Sequence, residues 1–288
     1  MNQQSIQTLW VGLLRVAFML GLLGLQPVTA EVMSLGVVPQ QPAAKLFSLW
    51  QPLIEQVRKT SGLELVFKTA VDIPAFQQAL RRGDYDVAYM NPYHYAVFSE
   101  APGYRALVAQ APNRLKGLIV VRRDSPYQRL EDLAGQRVVF PSPAAFAASL
   151  ITRKELAALG VSVDVQFVRS HDSVYLNVQR GFAAAGGGVM RTLNSTTAEA
   201  RESLRVLWKS PGYTPHPIAA HPRVPRSVQE QLQQAMVSLS ETTEGRSLLA
   251  KLNVQTFKAV TDSDYDAIRE IDWQGVEGTI SDPADSTP

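Results

Sequence analysis

Short strand-type runs alternate with runs of helical spacing along most of this chain, and that alternation constrains the fold more than any other feature. Residues 33–38 read as a strand closed by Pro39. Residues 46–59 follow, with Leu46, Phe47, Trp50, Leu53, Ile54 and Val57 at helical intervals. A strand over 63–68, a helix over 76–82 ending near Gly83, and a strand over 86–90 stopped by Asn91 and Pro92 complete a first series. A second series has strands at 118–121 and 137–140, then a helix over 144–159 with Gly160 just past its end. It goes on with a strand at 164–168, a helix over 173–180 and a last short strand at 204–208. Pro211, Pro215, Pro217, Pro222 and Pro225 make the next segment extended, since proline cannot sit in a helix interior. Beyond it the spacing predicts only helices, over 227–239, 244–252 and 263–273.

Two such series predict an α/β protein of two Rossmann-like lobes joined by a hinge. One lobe is expected to hold residues 31–115 plus 211–275, the other 116–210, with a flexible tail over 276–288. A cleft between lobes of this kind, beyond the carboxyl ends of the strands, is the default place for a small ligand.

Residues 1–30 contain no acidic side chain and a single basic one, Arg15, followed by an apolar run from Val16 to Leu25. Val28, Thr29 and Ala30 fit a signal-peptidase site, so cleavage after Ala30 and export to the periplasm are expected. Retention as an anchor reaching back through Trp10 is the alternative. The formal net charge of +2 gives no footing for nucleic acid as a partner. The chain has no cysteine, which excludes disulfides, thiolate metal sites, a cysteine nucleophile and a lipid-modified N-terminal cysteine. An exported chain without disulfides needs a large core, and 288 residues with 45% hydrophobic side chains can supply one.

Four stretches, in order, carry a family resemblance. They are Leu35-Gly36-Val37-Val38-Pro39-Gln40-Gln41-Pro42, the run from Ala79 to Tyr93, the run from Leu130 to Ser142, and Ser170-His171-Asp172-Ser173-Val174. In these the chain resembles the PhnD-like periplasmic binding proteins of phosphonate, phosphate and phosphite uptake, with the type II periplasmic binding fold. The resemblance implies a monomer that captures a small anion without a cofactor or metal. It implies delivery to an ABC transporter permease or presentation to a membrane sensor kinase. It also implies a ligand site of Gln40, Asn91, Tyr93, Ser142, Ala144, Ala145, Ser170, His171 and Arg191. Ser142 would cap a helix opening at Pro143, and His171 would offer a ring N–H to an oxyanion.

The departures concern the ligand. Phosphonate binders have a run of hydroxyl residues where this chain has Pro143-Ala144-Ala145. An aromatic expected near the start of the second site helix is Ile73. The acid that holds an aminophosphonate's amino group should fall near Gly187-Gly188-Val189-Met190-Arg191, where there is none. Arg191 favours an anion instead.

Other residues read more simply. His94 is expected in packing behind the ligand or at the surface, and His216 and His221 in a loop. Asp84 and Asp86 read as turn residues, and Trp50, Trp208 and Trp273 as core. Gly186-Gly187-Gly188 lacks the context of a phosphate-binding loop and suggests a close backbone approach at a strand. The competing function is an enzyme on the same fold, acting on a small phosphorylated metabolite. Ser170-His171-Asp172 evokes a catalytic triad, but neighbours in sequence do not converge as a triad must. A structural role in an envelope complex is a third reading, which a closed, dry cleft would favour.

Overall fold

The computed structural model describes residues 32–273 and 276, so the expected signal peptide and nearly all of the tail lie outside the described residues. Strands β1 (Met33–Val37), β2 (Leu65–Lys68), β3 (Val87–Tyr89) and β4 (Arg105–Ala111) lie in one six-stranded sheet with β10 (Pro217–Ala220) and β11 (Thr256–Ala259). Its order is β11-β4-β10-β3-β1-β2. β1 runs parallel to both β2 and β3, whereas β10 and β11 run antiparallel to their neighbours. A second sheet has the order β7-β6-β8-β5-β9. It is built from β5 (Gly117–Arg122), β6 (Arg137–Phe140), β7 (Asp164–Phe167), β8 (Ala185–Val189) and β9 (Leu204–Lys209). The protein is therefore an α/β molecule with two sheets, as the two series of strands and helices predict.

Hydrophobic spacing sets the first lobe. All five residues of β1 are buried, as expected of a central parallel strand covered on both faces. Helix Ala43–Ser61 turns Leu46, Trp50, Leu53, Ile54 and Val57 onto the sheet and ends at Gly62, whose φ of 71° closes it. Helix Ile73–Arg82 starts on Asp72, whose side chain accepts from the Ala75 N–H at 2.9 Å.

Three strands depart from the sequence expectation, while β8 carries the glycine run that was expected at a strand. β4 is rich in alanine and does not show a strand's composition. β10 lies inside the proline-rich segment, with Pro217 at its first position, where a missing N–H is tolerated. β11 corrects the expectation that only helices follow, because a four-residue edge strand has too few positions to show a period. The predicted helix over 263–273 is reduced to short turns at Asp262–Tyr265 and Asp266–Arg269.

The chain passes between the sheets twice, at residues 112–116 and 210–216. The two crossings are tied to each other. Leu115 and Tyr213 form an antiparallel bridge, each N–H donating to the other's carbonyl at 2.9 and 2.8 Å.

Candidate functional site

The predicted helix over 144–159 opens later and differently from the expectation. Ser142 to Ala145 form a turn, with the Ala145 N–H on the Ser142 carbonyl at 3.2 Å. The helix starts with a π-helical turn, Phe146–Ile151, and continues as Thr152–Ala158. Ser142 is thus not its N-cap. Ala145 holds that position with no side-chain cap, and the Ser142 hydroxyl is buried without a partner. The first N–H groups of such a helix have no acceptor within it. Glycine sets how deeply this turn sits. A Cβ on Gly187 would lie 1.9 Å from the Ala148 carbonyl oxygen, and one on Gly117 2.2 Å from that of Ala147. The opening turn therefore rests directly on β5 and β8, the close approach that the glycine run suggested.

The lobes meet over this turn. The Asn91 side-chain amide donates to the Ala144 carbonyl at 3.1 Å, and the His171 N–H donates to the Gln40 carbonyl at 3.0 Å. Lys45 bridges to Asp172 at 3.0 Å and donates to the Ser195 carbonyl at 2.7 Å. Gln41 reaches Ser195 Oγ at 2.9 Å. Residues of the opening turn share one apolar core with the first lobe. The cleft is closed around a cavity of about 10 Å³, walled by Val38, Gln40, Ile73, Asn91, residues 145–148, His171, Val189 and His216.

The predicted site residues separate here. Gln40, Asn91, Ala145 and His171 wall the cavity. Ala144 contributes its carbonyl to the lobe contact, and Ser142 is buried beside the same turn. Tyr93 packs edge-on against Trp273, with ring centres 5.2 Å apart, and is not on the wall. Ser170 caps helix His171–Gln179 through the Ser173 N–H at 3.1 Å. Arg191 stands one step back, donating to Gln40 Oε1 with its guanidinium over the Tyr89 ring.

His216 stands in the second crossing, as expected of a loop residue, but it is buried on the cavity wall, stacked on Tyr89 at 5.2 Å with Nε2 3.3 Å from Gln40 Nε2. Its neighbourhood of prolines hid it, because β10 brings it beside β3 and nothing local signals that pairing. His94 is fully buried near Phe76 and Phe98, and neither ring nitrogen has a partner.

The wall suits an anion. It holds no carboxylate, and it brings together helix N–H groups, amides and imidazoles. Burial pushes His94 and His171 down to about 3, and the Arg191 charge adds to the effect on His171. Burial, Arg191 and the other two imidazoles also push His216 down. All three are neutral at pH 7. The His171 ring fixes one nitrogen, Nδ1, on the Thr192 hydroxyl at 3.0 Å, leaving Nε2 for the cavity. The Ser170-His171-Asp172 side chains diverge to Ser173, Thr192 and Lys45, so they form no relay. Among the described residues, no cluster of histidine and acidic side chains could hold a metal ion. The cleft is closed, and its wall mixes apolar side chains with Gln40, Asn91, His171 and His216.

The family model for the periplasmic substrate-binding protein of the phosphonate ABC transporter matches residues 35–265. The chain belongs to that family. It is 24% identical to the phosphate-import protein PhnD of Mycolicibacterium smegmatis over 84% of this chain and 85% of the relative. It is 22% identical to the phosphonates-binding periplasmic protein of Escherichia coli over 88% of this chain and 82% of the relative. A solved structure of PhnD1 from Prochlorococcus marinus, in complex with methylphosphonate, superposes with a TM-score of 0.77 at 17% identity. That match covers 84% of this chain and 97% of the other. Family members are substrate-binding components of ABC transporters, working in the periplasm.

Proposed function

We propose that this chain captures a small phosphorus oxyanion, as phosphate, phosphite or the head group of a phosphonate, in the closed cavity and releases it unchanged to an ABC permease. One observation carries the reading. The opening turn of helix 146–158 presents its unpaired N–H groups to a cavity whose other polar walls are Gln40, Asn91, His171 and His216, with no carboxylate to repel an anion. In the tautomer protonated at Nε2, His171 offers that N–H to one oxygen, and the buried Ser142 hydroxyl is a further donor in reserve.

A tetrahedral oxyanion needs more room than about 10 Å³, so the lobes part to admit it and then close around it less fully than in this structure. The lobes 31–115 plus 211–275 and 116–210 move about the paired crossings. Export after cleavage at Ala30 brings the mature chain to its permease.

A thermal-shift series with phosphate, phosphite and methylphosphonate tests this reading. A ligand at 100 times its Kd adds about 2.7 kcal/mol and raises Tm by several degrees. His171→Ala and Asn91→Ala should each remove most of that shift. No shift with any of the three compounds overturns the reading.

A further inference from the structure

Beside the small cavity, sharing Val189 and His216 with it, lies a much larger space of about 510 Å³ that is open to solvent. That is the size of a site for an organic molecule rather than a bare ion. The first crossing lines it through Arg114 and Lys116 and the second through His216, while Lys209 at the end of β9 and Arg191 complete the basic wall. All four charged residues lining it are cations; its other walls are amides, apolar side chains and His216.

Among the described residues none of these four cations is paired with a carboxylate. Arg114 donates only to the Gly212 carbonyl, at 3.3 Å. Asp264 lies within electrostatic range of Arg114 but is held by Thr261 and does not line this space. Arg114, Lys116 and Lys209 are exposed, so this is a solvent-facing basic groove, and a groove lined by one sign of charge concentrates counter-ions of the other sign.

The two spaces adjoin at Val189 and His216. Arg191 lines the groove while donating to Gln40, which walls the cavity. A molecule anchored in the cavity can therefore continue into the groove past these residues.

We propose that the physiological ligand carries two anionic groups on a short organic spacer, the first a phosphorus oxyanion seated in the cavity and the second, a carboxylate or another phosphoryl group, held in the basic groove. This rests on the head-group reading above. It gives a chemical meaning to the missing acid near Arg191. Where a cationic tail would need a carboxylate, this chain supplies positive charge. The spacer runs against Tyr89 and Leu115, and the second anion meets Lys116, Lys209 and Arg114.

The test is titration calorimetry of the full mature chain with methylphosphonate, phosphonoacetate and 3-phosphonopropionate, repeated with the variant Lys116→Gln/Lys209→Gln. Both lysines are exposed, and the variant's fold is checked by its melting curve. At least one dianionic compound should bind ten times more tightly than methylphosphonate in 50 mM salt. That ratio should fall below three in the variant, and it should shrink in 300 mM salt for the natural chain. Equal affinity for all three compounds, or a ratio unchanged in the variant, overturns the inference and leaves the head-group reading standing. If none of the three binds, this inference is overturned, and phosphate and phosphite in the thermal-shift series decide the head-group reading separately.

Discussion

The Lys45 ammonium sits 3.0 Å from the Asp172 carboxylate, and in doing so it pins the first turn of a helix in one lobe to the first turn of a helix in the other. The pair is partly exposed, and such pairs are worth about 0.2–1 kcal/mol. Lys45 also donates to the Ser195 carbonyl. Lys45→Ala should therefore shift the balance toward open lobes. Small-angle scattering without ligand should show a larger radius of gyration, and ligand affinity should drop about two- to five-fold. An unchanged scattering curve would show that the contact does not bias closure.

The buried histidines predict acid sensitivity, with a definite sign. An unfolded histidine titrates near 6.5, and burial holds His94 and His171 at about 3. The unfolded chain thus binds more protons below pH 6.5, so stability is complete above that value and drains away as pH falls toward 3. Each such group costs about 1.4 kcal/mol per pH unit within this window. His94→Leu removes one titrating group whose ring nitrogens have no partner. Urea unfolding at pH 7.5 and pH 5 should show that this variant loses about 2 kcal/mol less between the two conditions than the natural chain. Equal losses would mean that His94 is relieved in some way the closed lobes do not show.

Gly187→Ala should damage the site through the backbone. The new methyl would stand 1.9 Å from the Ala148 carbonyl oxygen, so the opening turn must lift off β8. Overpacking of this kind costs about 1–3 kcal/mol. Affinity for any ligand that engages the helix N–H groups should fall more than ten-fold. Retention of both stability and affinity would show that the turn can shift without moving those groups.

Ser142→Ala should separate stability from binding. The hydroxyl is buried and unpaired, a state that costs about 1–3 kcal/mol. Removing it should raise the melting point of the protein in the absence of ligand. If the hydroxyl turns to an oxyanion when one enters, the same variant should bind phosphate or methylphosphonate more weakly. A variant that is stabilised and binds normally would place Ser142 outside the site.

Much of this architecture could be read from local pattern, because β1 and helix Ala43–Ser61 carry their periodicity within a few turns. What escaped reading depended on contacts distant in sequence. β10 is a strand only because β3 and β4 flank it, and that pairing alone carries His216 to the cavity. The three-glycine run signalled a close approach, but nothing near it in sequence names the Ala147 and Ala148 carbonyls as what approaches. Ser142 followed by Pro143 has the composition of a helix start, yet the chain makes a turn there and opens the helix at Phe146. Ser170, chosen for its motif, is occupied in capping its own helix. The basic groove is assembled from the first crossing, Arg191 and Lys209, residues scattered over nearly a hundred positions, so no window of sequence contains it.

The bridge between Leu115 and Tyr213 turns two separate connections into one short ribbon. If the lobes part, such a ribbon would give them a single pivot rather than two independent ones. Arg114 and Lys116 stand on it, so in the binding mode proposed above they would move least, while the facing wall of imidazoles and helix N–H groups would travel.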